Sequence, residues 1–339
     1  MKHLFITGGC GFIGSNFVRL ILRERPAWRV TNFDLLTYSG NAENLADMAD
    51  CPQYRLVRGD VADASQVTAA LAGCDAVVHF AAESHVDRSI LDSSPFVRTN
   101  VAGTQVLLDC ALAAGVERYI QISTDEVYGA LTPDALPFTE STPLAPRNPY
   151  AATKAGADCL ALAYYETHGL PVMVTRCPNN YGPYQFPEKL IPLMIINALH
   201  DEPLPVYGDG RQVRDWIHVE DHNRAILRVL EAGRAGEVYH VGAENEHYNL
   251  EIVESILERL GKPATLIRHV ADRKGHDRRY AMALGKLRDE LGWQPQVAFT
   301  AGLAATIDWY ATQRGWWERV RSGAYREFYA RQYAERLGA

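Results

Sequence analysis

The chain has 339 residues, 47% of them hydrophobic and 22% charged, and a formal net charge of −7. That length holds about two domains' worth of core, and the acidic balance excludes a general affinity for nucleic acid or anionic membrane while leaving room for a local basic pocket. No run reaches the roughly 18 apolar residues of a membrane span, and the opening MKHLFITGG runs straight into a strand-like segment rather than a secretory leader. The expectation is a soluble, cytoplasmic protein. Its six cysteines (Cys10, Cys51, Cys74, Cys110, Cys159, Cys177) form no C-x-x-C pair and have no histidine at zinc spacing. They read as reduced, mostly packed thiols, with no metal site.

In chain order, short apolar runs alternate with helix-compatible stretches. Residues 4–6, 30–33, 54–57, 76–80, 119–122 and 172–175 read as strands. Most are apolar without alternation, the pattern of strands covered on both faces. Between them, residues 14–25, 64–71, 97–114 and 149–168 read as helices. A β-α-β-α order of this kind predicts an α/β fold, a doubly wound parallel sheet with helices on both faces. After Arg176 the prolines at 178, 183, 187, 192, 203 and 205 punctuate a loop-rich region. Regularity returns with a helix over 219–231 and a strand over 237–241 that rejoins the sheet. Beyond it, stretches such as 250–260 and 286–291 mix helices with short extended pieces. The domain reading is a nucleotide-binding part, residues 1–177 plus about 212–242, and a smaller capping part, about 178–211 plus 243–339. The aromatic tail (Trp309, Tyr310, Trp316, Trp317, Tyr325, Phe328, Tyr329) is read as packing against the body rather than as a partner surface.

Residues 6–14, ITGGCGFIG, follow the first strand and open the first helix. The glycines at 8, 11 and 14 permit a tight turn and let backbone N–H groups approach a pyrophosphate, whose charge the helix N-terminus favours. Alone this is a plain strand-to-helix turn. Asp34, closing the second strand 20 residues after Gly14, adds a carboxylate for the adenosine ribose that repels the 2′-phosphate of NADP. Together they point to NAD.

Residues 150–154, YAATK, place Tyr150 and Lys154 at i and i+4 on one helical face, behind an N-cap Asn148 and a first-turn Pro149. A tyrosine with an ordinary pKa of about 10 acts as a base near pH 7 only if its phenolate gains roughly 4 kcal/mol. A neighbouring ammonium supplies that stabilisation directly, and the helix N-terminus adds to it.

These two motifs resemble those of the extended short-chain dehydrogenase/reductase family, in which TGGxGFIG is the cofactor loop and YxxxK the catalytic pair. Ser123 and Thr124 match the hydroxyl that accompanies the pair. Within that family, STDEVYG at 123–129 is similar to the signature of the dTDP-glucose 4,6-dehydratase branch. So are AAESHVDRS at 81–89, NNYGPY at 179–184, FPEKLIPL at 186–193, RDW at 214–216 and DRKGHDRRY at 272–280. The resemblance covers nearly the whole chain. It implies a Rossmann-type sheet with a smaller mixed α/β substrate-binding domain, NAD as cofactor, dTDP-glucose as substrate in deoxysugar synthesis (dTDP-rhamnose, for example), and a homodimer built on the helices over 97–114 and 149–168. For the cofactor it implies Gly8, Gly11, Phe12, Ile13, Gly14, Asp34, Leu35, Thr37, Asp60, Val61, Phe80, Ala81, Ala82, Ser84, Thr99, Tyr150, Lys154 and Asn180. For the nucleotide-sugar it implies Ser84, Thr124, Asp125, Glu126, Asn179, Lys189, Leu190, Pro205, Tyr207, Arg214, Asn249, Asp272, Arg273 and His276. Pro178 stands where the branch has serine, which is expected to shift the loop carrying Asn179.

The catalytic set carried over is Thr124, Asp125, Glu126, Tyr150 and Lys154. In the branch's chemistry the tyrosine takes the proton of the C4 hydroxyl as hydride leaves C4, the glutamate removes the proton at C5 made acidic by the 4-ketone, and the aspartic acid protonates the departing C6 hydroxyl. Adjacent carboxyls suit such opposite roles, because ionising one raises the pKa of the other. Two rivals stand beside this reading. A nucleotide-sugar 4-epimerase of the same fold needs no proton donor at C6, and a non-catalytic dinucleotide-binding sensor has no use for Thr124, Tyr150 and Lys154.

Overall fold

The computed structural model describes residues 2–272 and 275–321. The described residues carry β1 (His3–Thr7), β2 (Arg29–Asp34), β3 (Tyr54–Arg58), β4 (Ala76–His79), β5 (Arg118–Thr124), β6 (Val172–Cys177), β7 (Asn179–Tyr181), β8 (Leu204–Tyr207), β9 (Val213–His218), β10 (Val238–His240), β11 (Glu246–Tyr248) and β12 (Ile267–Val270). Seven form one sheet in the order β10-β6-β5-β4-β1-β2-β3, and every neighbouring pair is parallel. The chain fills one side outward from β1, then crosses to β4. That reversal opens a crevice at the C-terminal strand ends.

Both faces are covered, as the apolar runs require. On one side the helices Phe12–Glu24 and Val219–Ala232 pack on Leu4, Ile6, Val30, Val78, Ile120 and Met173. On the other, Ala64–Leu71, Thr104–Ala114 and Pro149–His168 cover Phe5, Phe33, Val77, Tyr119, Val172 and Val174. β3 departs from the expected apolar strand: it is the edge of the sheet, and Arg55, Leu56 and Arg58 face solvent. The helix read over 97–114 is two pieces. Residues Val97–Gly103 form a wide π-helical turn before the α-helix Thr104–Ala114. Asn100, buried in that turn, accepts from Glu83 N (2.9 Å) and donates to Glu83 O (3.0 Å) and Thr153 Oγ1 (2.9 Å). The turn therefore ties the segment after β4 to the helix Pro149–His168.

The proline-rich stretch after β6 is more regular than its composition indicates. It contains the helix Leu190–Leu199, whose residues 191–198 are all buried. Pro192 lies in its first turn, where a missing N–H costs little. This helix, Asn249–Leu260 and Phe299–Thr312 enclose a second core with Tyr181, Trp216, Tyr310, Trp316 and Trp317. The sheets β11-β9-β7 and β12-β8 border it. Residues Leu287, Leu291 and Trp293 return to the core of the large sheet. The tail aromatics Tyr310, Trp316 and Trp317 are packed as expected; Tyr325, Phe328 and Tyr329 lie outside the described residues. Cys10, Cys74, Cys110 and Cys177 are buried thiols and Cys159 is exposed. Among the described residues no helix is long and apolar enough to cross a membrane.

Trp317 is fully buried and its indole donates to Tyr310 O at 2.8 Å. Trp317→Ala is expected to destabilise the fold by about 3–5 kcal/mol, the range for a large core truncation, measured by chemical denaturation. A loss below about 1 kcal/mol removes the helix Arg314–Val320 from the second core.

Candidate active site

The sheet's register aligns the C-terminal strand ends: Thr7 stands beside Phe33 and His79, and Thr124 beside Cys177. A cleft of about 1590 Å³, counting its open mouth, runs along this edge.

At one end of the cleft the glycine loop turns over β1. Gly8 has φ +70, and a Cβ there would stand 2.6 Å from Ala81 N; a Cβ on Gly14 would stand 2.3 Å from Gly8 O. Both are backbone collisions, so this cradle exists only with glycine. The helix Phe12–Glu24 begins with no side-chain cap and no acid in its first turn, leaving its N–H groups open to an anion. Asp34, closing β2, accepts from Cys10 N (2.9 Å) and Leu36 N (2.8 Å). Burial pushes its pKa up, and these two donors pull it partly back. It braces the glycine loop against the turn after β2 while keeping lone pairs toward the cleft. The residues fit a dinucleotide.

At the other end, β5 delivers Thr124, Asp125 and Glu126. Thr124 caps the single turn Asp125–Tyr128, accepting from Glu126 N at 3.2 Å and donating to Asp125 Oδ1 at 3.2 Å. Asp125 is 1% exposed. Burial first, and then the Glu126 carboxylate, hold its pKa well above the carboxylate range, opposed by the Arg214 guanidinium. Its Oδ2 has no hydrogen-bond partner among the described residues. Glu126 accepts at 3.1 Å from Asn148 Nδ2, while Asn148 Oδ1 caps the helix Pro149–His168 at Ala151 N, 2.8 Å. One amide thus fixes both an acid and the helix that bears Tyr150.

Tyr150 and Lys154 share a helical face as read from the sequence, but the expected effect of the lysine is corrected. Burial drives the Tyr150 phenol well above its ordinary pKa, Glu126, Cys177 and Asp125 push the same way, and only the Thr124 hydroxyl opposes them. Lys154 Nζ donates to Ile122 O at 2.6 Å, and burial lowers its own pKa against the pull of Asp158. Desolvation outweighs the i,i+4 pairing.

The cleft wall includes Gly8, Gly11, Phe12, Ile13, Gly14, Asp34, Leu35, Thr37, Asp60, Val61, Phe80, Ala81, Ala82, Ser84, Thr99, Asn179, Asn180 and Lys189 together with the five catalytic candidates. Asn179 reaches it despite Pro178. β7 continues from the proline and pairs with β9, Asn179 beside Trp216, and Pro178 O accepts from Asn180 Nδ2 at 3.2 Å. Leu190, Pro205, Tyr207, Arg214, Asn249, Asp272 and His276 stand outside that wall. Tyr207 donates to Asp87 Oδ2 at 3.2 Å, His276 Nδ1 meets Asp272 Oδ1 at 2.6 Å, and the Tyr207 and His276 rings meet edge to face. Arg214 gives its terminal nitrogens to Val213 O and Asp277 O and lies on the Tyr280 ring. Arg273 lies outside the described residues. Among the wall residues the reading did not name are Glu83, Cys177, Gln185 and Phe186. Glu83 and Phe186 stood inside quoted motifs and Gln185 stood between two of them, while Cys177 ends β6 just before Pro178.

A family model described as GDP-mannose 4,6 dehydratase matches residues 5–306. The chain belongs to this family. A dTDP-glucose 4,6-dehydratase of Streptomyces niveus is 54% identical over 324 residues, 94% of this chain and 96% of the relative. The structure of DesIV, a dTDP-glucose 4,6-dehydratase from Streptomyces venezuelae with NAD and TYD bound, matches at a TM-score of 0.92 and 54% identity, covering 94% of this chain and all of that one. A Thermus thermophilus UDP-glucose 4-epimerase in complex with NAD matches at a TM-score of 0.85 but 28% identity, covering 92% of this chain and 100% of that one. Both chemistries share the shell; the dehydratases share about twice the sequence.

Two predictions follow from this geometry. Gly14→Ala is expected to weaken NAD binding about tenfold or more, read by titration; unchanged affinity places the pyrophosphate elsewhere. Asp125, its folded pKa raised, holds a proton that the unfolded chain has lost above its ordinary value of 3.8. The wild type therefore loses stability as pH rises from about 4 toward that raised value. Asp125→Asn is expected to melt higher at pH 7–8 and equally at pH 3, and a gain independent of pH contradicts the assignment.

Proposed function

We propose that this chain is an NAD-dependent hydro-lyase that converts dTDP-glucose to dTDP-4-keto-6-deoxyglucose. The observation carrying it is the pair at the end of β5. A buried carboxyl that keeps its proton adjoins a carboxylate steered by Asn148, and both share a cleft with Tyr150.

NAD+, when bound by the glycine cradle and Asp34, supplies the hydride acceptor for C4, the hydride donor for C6 and a positive charge in the cleft. The chain's own residues handle the protons. Tyr150, hydrogen-bonded to Thr124, receives the proton of the C4 hydroxyl. Its phenol is a weak acid, so positive charge must gather nearby before phenolate forms. With C4 a ketone, Glu126 removes the proton at C5. Asp125 protonates the C6 hydroxyl, which leaves as water. A proton then returns to C5 from Glu126 as hydride returns to C6, and the proton gained by Tyr150 replaces, by way of solvent, the one given up by Asp125, so that water is the only other product. The lone Oδ2 of Asp125 is the open face from which that donation takes place.

Lys189 and Arg214 suit the diphosphate by charge, and Ser84, Asn179, Asn249 and His276 suit hydroxyls and the base edge. In this reading residues 1–177 plus about 212–242 bind the dinucleotide, and about 178–211 plus 243–339 bind the nucleotide-sugar. A homodimer through the helices over 97–114 and 149–168 is supported by apolar side chains facing solvent beside them, Val97 at 51% and Leu91 at 58% exposure. The setting is the cytoplasm, where free thiols stay reduced.

Incubation with dTDP-glucose is expected to yield a 4-keto-6-deoxy product, recognised by its absorbance in alkali. Conversion to the galactose epimer instead refutes the dehydratase reading. Asp125→Asn is expected to oxidise C4 normally yet lower overall turnover by about 10²–10⁴-fold; full turnover removes Asp125 from the mechanism.

A further inference from the structure

Among the buried acids outside the cleft wall, Glu188 gathers partners from three segments that line it. Glu188 is 8% exposed. Its Oε2 accepts from Arg88 Nε (3.1 Å) and Arg88 Nη2 (2.9 Å), its Oε1 lies 3.9 Å from His85 Nε2, and the Tyr38 phenol donates to it. The Arg88 guanidinium also lies over the Tyr38 ring, 4.0 Å from its centre, and that ring meets Phe186 edge to face at 5.5 Å.

These partners come from three segments that each supply part of the cleft wall. Tyr38 belongs to the turn after β2, which gives Thr37 and Gly40. Arg88 follows the segment after β4, which gives Ala81 and Ser84. Glu188 belongs to the stretch before the helix Leu190–Leu199, which gives Phe186 and Lys189. A second tie runs parallel: Lys189 Nζ donates to Ser84 O at 2.9 Å. The far end of the third segment is fixed as well. Tyr184, at φ +68, is held by Arg19, Trp309 and Trp316, and Tyr310 donates its hydroxyl to Gln185 O. The segment is thus anchored to the second core at one end and to Glu188's partners at the other.

We propose that Glu188, Arg88 and Tyr38 are positioning residues that clasp these three walls around the dinucleotide and slow its escape. The inference rests on the dinucleotide reading of the cleft. Parting any two of the walls breaks a desolvated ion pair or strands a phenol, and each is costly away from water. The reaction gives such a clasp its use: the hydride taken from C4 returns to C6 of the same sugar, so a cofactor lost between the two steps leaves a dead-end ketone.

The test is the release of NAD from the intact protein, followed after mixing with excess competing NAD analogue. Glu188→Gln keeps the shape but removes the charge, and is expected to raise the release rate about tenfold or more. Tyr38→Phe removes only the hydroxyl, and is expected to give a smaller rise; it remains informative if Glu188→Gln fails to fold. The accompanying loss of turnover is expected to be relieved by excess NAD, which a general loosening of the fold would not allow. If the parent chain binds NAD and both variants release it at the parent rate, the clasp is wrong and the dinucleotide reading stands. If the parent binds no NAD, both fall.

Discussion

Dry burial of ionisable groups at the C-terminal edge of a parallel sheet is the constraint on which this site depends. Asp125 and Lys154 are buried and Tyr150 is half-buried beside them, and in each the uncharged form is favoured by loss of water. Such burial requires a sheet covered on both faces, and the two flanking helical layers provide it. It also requires that several strands end at one level, as the β1-β2-β4 and β5-β6 registers make them do. A carboxyl that resists ionisation is a liability to folding and an asset to a step that expels hydroxide.

Much of this was legible in the chain. The six early strands and the first four helical stretches came from apolar runs of strand length alternating with longer periodic segments, and the structure places strands and helices there. The glycine loop was legible because glycine at 8 and 14 has a single physical cause, the backbone collision any Cβ would make. The helix over 149–168 was legible to the residue, since Asn148 and Pro149 mark its start and Gly169, with φ +71, its end. What local pattern cannot reveal is the environment. Tyr150 and Lys154 were correctly placed on one face, yet the sign of the phenol's shift depends on Glu126, Cys177 and the depth of the cleft, none of which is a property of the helix.

Other failures have the same origin. Proline density hid the helix Leu190–Leu199, because Pro192 falls in the one turn that tolerates it and the helix is apolar all round, a pattern without the one-sided stripe that marks a surface helix. The π-helical turn at Val97–Gly103 answers to Asn100 and its long-range bonds to the Glu83 backbone. Pro178 showed only its own restrictions in the sequence; the pairing of Asn179 beside Trp216 comes from β9. Each depends on a partner distant in sequence.

The cleft is held by both cores of the fold. Its dinucleotide end is lined by strand termini and glycine backbone of the large sheet and by the segment before Leu190–Leu199, which the second core anchors. Beyond the cleft wall stand the short strands β8 and β9 and the turn into Asn249–Leu260, where Asn249 Oδ1 is buried and meets no partner among the described residues. An unmet acceptor there costs stability in the free protein and is recovered only by a donor that arrives from outside. Such acceptors stand at the cleft wall as well, on Asn180 and Gln185. A cycle that borrows and returns one hydride asks for a cofactor held through every turnover and a sugar-nucleotide exchanged at each one.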